Sequence, residues 1–330
     1  MATRLNTDSR KRSSSRNLVL GIVNNYSFYQ ISRFVLTLAQ SDFDGHLCLF
    51  AGPSISNATA RRLRSHGVEV IRYRTAFPFI DSPHPEGPSS LPARIHLYNY
   101  RHFLYFDYLL KHRGEFQNVL LTDVKDVVFQ KDPFDFPMED RLYVAMESPH
   151  ILIGDCGSTP RWNVAGYGEA MLEHLRNERM SCAGTTLGPT ARIEHYLRSL
   201  LAQINMMQDA YACADQAAHN LLLHSGKLEP TKRVDNFAGP MLTVGTERDY
   251  ALNERFELVN KDGTVINIVH QYDRHPELHD LFEAKVRPVA CRRAIANLIF
   301  RASSSIRSGK DWAKNEARRV KRRLVTPLRP

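Results

Sequence analysis

The N-terminal part of the chain alternates short apolar runs with amphipathic stretches, and this alternation constrains the fold more than any other feature. Residues 17–24 (NLVLGIVN) are apolar and rich in branched side chains, and they read as a buried strand. In 27–40, Ile31, Phe34, Val35 and Leu38 recur at helical spacing. A second strand at 46–50 (HLCLF) closes at Gly52-Pro53. Asn57 can cap a helix over 58–66 that Gly67 stops, and 68–73 makes a third strand. Strand, helix, strand, helix, strand predicts an α/β fold with a mostly parallel central sheet flanked by helices.

The later chain is less regular. Residues 76–92 (AFPFIDSPHPEGPSSLP) are proline-rich and read as a long loop of the kind that serves as a lid or binding edge. An aromatic helix is expected over 93–112, with Arg94 and Arg101 seven apart and so on one face. Residues 141–148 predict a strand, and 162–176 and 190–207 predict helices. Residues 181–189 (SCAGTTLGP) are small and Gly-rich. Asp215-Gln216 opens an apolar helix reaching 223, and 241–244 and 264–269 are late strands, the second running into His270.

The net charge of +9 lies in the termini: 1–16 carry +4 and 291–330 carry +10, which leaves the body at −5. The expected organisation is a basic disordered tail (1–16), a catalytic body (17–290) and a basic C-terminal helix or tail (291–330). A body of this sign makes a nucleic-acid partner a poor fit in spite of the high pI. The C-terminal segment has two readings, an amphipathic helix on an anionic membrane surface or a solvated appendage. No apolar stretch approaches the ~20 residues that span a bilayer, and no apolar run follows the basic start, so a secretory signal is not expected. Cys48, Cys156, Cys182, Cys213 and Cys291 are odd in number, scattered and without C-x-x-C, which points to a reducing compartment. The expected location is cytoplasmic, with the tail reading adding the inner membrane face.

The chemistry concentrates in 118–134 (NVLLTDVKDVVFQKDPF), where Asp123 and Asp126 stand between two buried apolar runs. Buried unpaired charge is expensive. A hard divalent cation such as Mg²⁺ or Mn²⁺, which takes oxygen ligands from carboxylates and phosphates, accounts for both acids. Solvated acids in a strand-to-loop turn are the plainer alternative. Other chemistries lack their motifs. There is no G-x-x-x-x-G-K-[ST], no G-x-S-x-G and no H-E-x-x-H, and Gly166-Tyr167-Gly168 lacks the third glycine of a dinucleotide fingerprint.

With a polar turn after the first strand, an Arg-bearing helix and then VLLTDVKDVVFQKDPF, the chain resembles the nucleotide-sugar-dependent glycosyltransferases of the GT-A fold. Within these it is nearest to the retaining glycogenin- and LPS-galactosyltransferase-like group. SCAGTTLG at 181–188 stands in the place of that group's Asn-x-Gly beside the donor sugar. Asp215-Gln216-Ala217-Ala218-His219-Asn220 is similar to its D-Q-x-x-x-N segment, and Val269-His270 to its late metal-binding His. The likeness spans roughly residues 17–280. Counting back from Asp132-Pro133, Asp126 falls on the second acid of the family's Asp-x-Asp. Val124 takes the place of the first acid, with Asp123 one residue earlier. A one-residue shift on a strand flips a side chain to the other face, so Asp123 is out of phase unless the strand has already ended.

The resemblance implies a metal held by Asp126 and His270, with Asp123 serving the metal or the nucleotide ribose. A satisfied core or surface histidine is the rival reading of His270, while its place after a buried strand, inside HQYDRH, favours a ligand, imidazole being the usual nitrogen donor to such metals. Arg101, with Arg94 as alternate, would reach the diphosphate or base side of the donor, because the guanidinium fork binds phosphate oxygens in pairs; a solvated helix face is the rival reading. Asn24, Asn25 and Tyr26 sit at the carboxyl end of the first strand, where open α/β sheets bind ligands, and Tyr26 would stack on the base or line the rim. Gly184 would lie beside the donor sugar. Asp215 and Gln216 would face the transferred sugar, unless Asp215 simply caps its helix.

The expected function is transfer of a sugar, with retention implied by the resemblance, from a nucleotide-diphosphate donor to a glycan or lipid-linked acceptor. Two alternatives stand. One is a non-catalytic membrane- or nucleic-acid-associated protein that uses the basic tails. The other is a nucleotidyltransferase or sugar-nucleotide hydrolase on a similar sheet, against which the lack of a Gly-rich first loop counts.

Overall fold

The apolar runs of the N-terminal part pair as their composition requires. In the computed structural model, residues 16–74, 79–81, 94–210 and 214–286 are described. Strand β1 (Asn17–Val23), helix α1 (Phe28–Ala39), β2 (His46–Ala51), α2 (Asn57–Ser65) and β3 (Glu69–Arg72) follow in order. β2 lies parallel to β1 and β3 parallel to β2. Helix α2 is capped by Ser56 rather than Asn57, with Ser56 Oγ accepting the Thr59 N–H at 3.1 Å. Two short strands, β4 (Phe79–Asp81) and β5 (Arg94–His96), form an antiparallel ribbon that brackets the proline-rich segment, and most of that segment lies outside the described residues. The aromatic helix α3 (Leu97–Lys111) starts after this ribbon.

The stretch 118–134 supplies two strands, β6 (Asn118–Thr122) and β7 (Val127–Phe129), which belong to different sheets. Then come β8 (Leu142–Met146), α4 (Thr159–Tyr167), α5 (Glu169–Leu175) and β9 (Ser181–Pro189). The single helix expected over 162–176 is broken at Gly168, whose φ of +87° is left-handed and ends α4. The small, Gly-rich stretch 181–189 is a nine-residue buried strand. It is followed by α6 (Thr190–Asn205), α7 (Asp215–His224), β10 (Thr231–Val234), β11 (Met241–Thr243), β12 (Ala251–Leu252), β13 (Leu258–Val259), β14 (Ile268–His270) and α8 (Pro276–Val286).

The central sheet has seven strands in the order β10-β8-β9-β6-β1-β2-β3. All are parallel except β9, which runs antiparallel to both β6 and β8. Alternate residues feed the two faces. Leu18, Leu20, Val119 and Leu121 join a core with Tyr105, Tyr196 and Leu200 of α3 and α6. Val19 and Leu120 join a second core with Phe34, Val35 and Leu38 of α1. Burial on both faces explains why the strands read as continuous apolar runs rather than alternating ones. A second sheet, β11-β14-β7, places β14 antiparallel to β7, with His270 opposite Val127. Two compact units divide the chain, one through Tyr272 and one from Asp273 onward. The second contributes α8 to the described residues. The basic termini, Cys213 and Cys291 lie outside them, apart from Arg16. No described helix is long and apolar enough to cross a membrane.

Candidate metal centre

β6 ends at Thr122, and residues 123–126 turn out of the sheet before β7 begins. Val124 takes the core side of this turn and is buried with the α1 layer, so Asp123 and Asp126 both project to the other side. The condition set for Asp123 is met: β6 ends at Thr122, and the turn over 123–126 brings Asp126 to the side that Asp123 occupies. β14, paired antiparallel to β7, then carries His270 to the same place, and the Gln271 N–H bonds Asp126 O at 2.8 Å.

His270 Nε2 lies 3.5 Å from Asp123 Oδ2 and 3.5 Å from Asp126 Oδ2. Ligand atoms of the three residues fall within 4.8 Å of one another, and among the described residues no other such group of His, Cys, Asp and Glu occurs. The carboxylates are partly open, at 34% and 25% exposure, while the imidazole behind them is 2% exposed. Nε2 is buried and makes no hydrogen bond. A buried nitrogen without a hydrogen bond, 3.5 Å from an oxygen of each of two carboxylates, completes with them the donor set a borderline or hard divalent ion takes.

The backbone makes room for this convergence at Gly184. The register between β8 and β9 jumps from Val144 opposite Thr186 to Ala145 opposite Cys182, so 183–185 bulge from β8. Gly184 O accepts the Asp123 N–H at 2.8 Å. A Cβ on Gly184 would stand 2.2 Å from His270 Cε1 and 2.6 Å from Asp123 Oδ2, so any side chain here would have to displace one of the two ligands.

The bulge is held from α7. Gln216 Oε1 accepts the Ala183 N–H at 3.0 Å, and its Nε2 donates to Ser181 O. Asn220 Oδ1 accepts the Ser181 N–H at 2.9 Å, and Asn220 Nδ2 donates to Ser181 O at 3.0 Å. The expectation that Gln216 faces the sugar is corrected accordingly, since both ends of its amide are engaged with the β9 backbone. His219 completes the clamp, with Nε2 2.9 Å from Ser181 Oγ and Nδ1 2.9 Å from Tyr196 Oη.

Arg101 is neither a solvated residue nor one with its fork free for phosphate. It is buried, and it bridges two carboxylates. Nη1 bonds Asp123 Oδ1, while Nε and Nη2 bond Asp215 Oδ2 at 3.1 and 2.6 Å. His102 Nε2 donates to the same Oδ2 at 2.5 Å. Asp215 is the first residue of α7; the N-cap position is Ala214, and the Asp215 side chain serves the ion pair rather than the helix end. Burial raises the Asp215 carboxyl, but Arg101 and His102 outweigh it and hold it below the usual carboxylate range. Burial acts on Asp123 in the same way, and Arg101 with His270 lowers it to about 2. Burial would lower His270, yet Cys182 and the two acids beside it raise it above the ordinary imidazole value.

At the neighbouring strand end, Ser54 Oγ donates to Asn24 Oδ1 at 2.6 Å and accepts the Asn25 N–H at 2.7 Å, which ties the loops after β1 and β2. Asn25 is left-handed, with φ of 57°, a conformation Asn tolerates. Tyr26 is half-buried against the α1-side core. Arg94 lies on β5, opposite Asp81 in backbone register, and not on α3, so the expected shared helix face with Arg101 is corrected; its side chain lies outside the described residues. β1 and β6 are parallel neighbours, so these loops and Asp123 share the carboxyl edge of the sheet. Reading the sequence missed His102, Cys182 as a partner of His270, and the anchoring role of Asn220. His102 carries no motif signal, whereas Cys182 lies within SCAGTTLG and Asn220 within the D-Q-x-x-x-N segment. Comparison of the sequence with protein-family models gives no match, and comparison with curated proteins gives none.

Proposed function

We propose that the protein is a glycosyltransferase of the GT-A type that moves a sugar from a nucleotide-diphosphate donor to a glycan or lipid-linked acceptor, assisted by a divalent cation. The observation that carries this reading is the convergence of Asp123, Asp126 and His270 Nε2, which makes no hydrogen bond, at the carboxyl edge of a mostly parallel sheet. That edge is where open α/β sheets bind their ligands. The two carboxylates and the imidazole suit Mn²⁺ or Mg²⁺, and the glycine cradle at 184 supports the fit.

A cation bound there would act as a Lewis acid and offset the charge that develops on the departing diphosphate. The chain's own residues do the positioning. Arg101 takes Asp123 Oδ1 and leaves Oδ2 toward His270. Arg101 and His102 converge on Asp215 Oδ2, which leaves Oδ1 to orient a sugar hydroxyl or to face an oxocarbenium-like centre. The Asn24–Tyr26 loop offers amide groups and an aromatic ring to the nucleoside. The test is a panel of UDP- and GDP-sugars incubated with the protein and Mn²⁺, followed for donor hydrolysis. Turnover of one donor that needs Mn²⁺ and fails in Asp126→Asn supports the reading. No turnover with any donor, together with no UDP or GDP binding by calorimetry, overturns it.

A further inference from the structure

A histidine that binds a metal through Nε2 must carry its proton on Nδ1, and the partner of that N–H sets the ring's orientation and donor strength. The usual partner is a carboxylate, a backbone carbonyl or water. In this protein, among the described residues, the group at His270 Nδ1 is the sulfur of Cys182, 3.6 Å away and within reach of a sulfur hydrogen bond. Cys182 is buried at the start of β9, immediately before the bulge that carries Gly184. A second donor meets the same sulfur: Gln271 Nε2 lies 3.7 Å from it. Gln271 itself is in the left-handed region, with φ of 62°, a conformation that costs a non-glycine residue energy and collects at functional sites. In that conformation its backbone N–H bonds Asp126 O at 2.8 Å while its side chain reaches Cys182.

We infer that Cys182 is the positioning residue of the metal centre: its sulfur accepts the His270 Nδ1–H, fixes the ring with Nε2 bare toward Asp123 and Asp126, and is held in place by Gln271. This rests on the reading of Asp123, Asp126 and His270 as cation ligands. The sulfur does not touch the ion; it acts through the ring. The nucleophilicity of the thiol plays no part, because what the ring needs is an acceptor of the right size at this point.

Three variants separate acceptor from bulk. Cys182→Ser keeps a smaller acceptor, Cys182→Ala removes it, and Cys182→Val keeps apolar volume on a strand without any acceptor. Mn²⁺ alone is titrated into each full-length protein and free ion is followed by electron paramagnetic resonance, with melting in EDTA recording whether each variant is folded. The expected result is Mn²⁺ affinity within about threefold of wild type for Ser and a loss of roughly 10–100-fold for both Ala and Val, as for other partners behind a metal-bound His. Wild-type affinity in Ala or Val overturns the inference, and so does a loss in Ser as large as in Ala. The wild-type protein loaded with Co²⁺ gives a readout that does not depend on the variants folding. The Nδ1–H appears as a hyperfine-shifted proton resonance that exchanges slowly with D₂O. Its absence overturns the inference even where Co²⁺ is bound. Failure of the wild type to take up Mn²⁺ or Co²⁺ is a different result, which removes the metal reading itself.

Discussion

Replacing Gly184 by alanine adds one methyl group where the structure has no space for it. The new Cβ would stand 2.2 Å from His270 Cε1 and 2.6 Å from Asp123 Oδ2, where ordinary contact begins at 3.4 Å. The ring must therefore yield by about 1.2 Å and the carboxylate by about 0.8 Å, or the bulge must move by as much. Metal sites hold their ligand distances to about ±0.2 Å, so a displacement several times larger separates at least one ligand from the other two. Mn²⁺ affinity is expected to fall on the order of 100-fold or more, at or beyond the top of the range for disturbed partner shells. Overpacking of this kind costs about 1–3 kcal/mol of stability. Calorimetric titration with Mn²⁺ measures the first effect, and urea unfolding in EDTA measures the second without the ion. Gly184→Ala binding Mn²⁺ within threefold of wild type would refute the geometry on which the site is built.

Arg101→Met leaves the buried Asp215 carboxylate with His102 alone and Asp123 with one cation fewer. Breaking a buried pair on one side costs about 3–5 kcal/mol, measurable by urea unfolding at pH 7, and a cost under about 1 kcal/mol would show the bridge to be incidental. The same pair gives a pH dependence whose sign is fixed. The folded Asp215 pKa lies below its ordinary value of 3.8, so its contribution is present above that value and is lost as pH falls through the lowered one. Wild type should lose more stability than Arg101→Met on acidification below about pH 4, and equal losses in stability curves would contradict the pairing. Gln216→Ala frees the Ala183 N–H and the Ser181 O of its amide, so it should cost about 1–3 kcal/mol in EDTA and also weaken Mn²⁺ binding through Gly184; unchanged stability would return Gln216 to the sugar. In Asp126→Asn the added stability from Mn²⁺, about 2.7 kcal/mol at a hundredfold excess over the wild-type Kd, should vanish in thermal melts while the melt in EDTA hardly moves.

The parallel sheet was legible because its strands are buried on both faces, and that burial leaves continuous apolar runs in the sequence. β9 was less legible. It is as buried as its neighbours, yet its first six residues are Ser, Cys, Ala, Gly, Thr and Thr, and at Gly184 the approach of His270 and Asp123 leaves no room for a side chain. The pair Asp123 and Asp126 could be singled out from residue type, but their cooperation depended on where β6 stops. His270 was a candidate from its place after a buried strand and from the resemblance, but its meeting with Asp126 was not legible, since an antiparallel pairing of β14 with β7 across some 140 residues leaves no local trace. The bridge from Arg101 to Asp215 was unreadable for the same reason, being a tertiary contact between α3 and α7.

Crystals grown with MnCl₂ and UDP, with anomalous data collected at the manganese edge, show whether Asp123, Asp126 and His270 hold a cation against the nucleotide. One anomalous peak is expected about 2.0–2.3 Å from His270 Nε2 and from a carboxylate oxygen of each of Asp123 and Asp126, with the diphosphate completing the shell. A peak at another place, or a nucleotide bound away from these three residues, would contradict it.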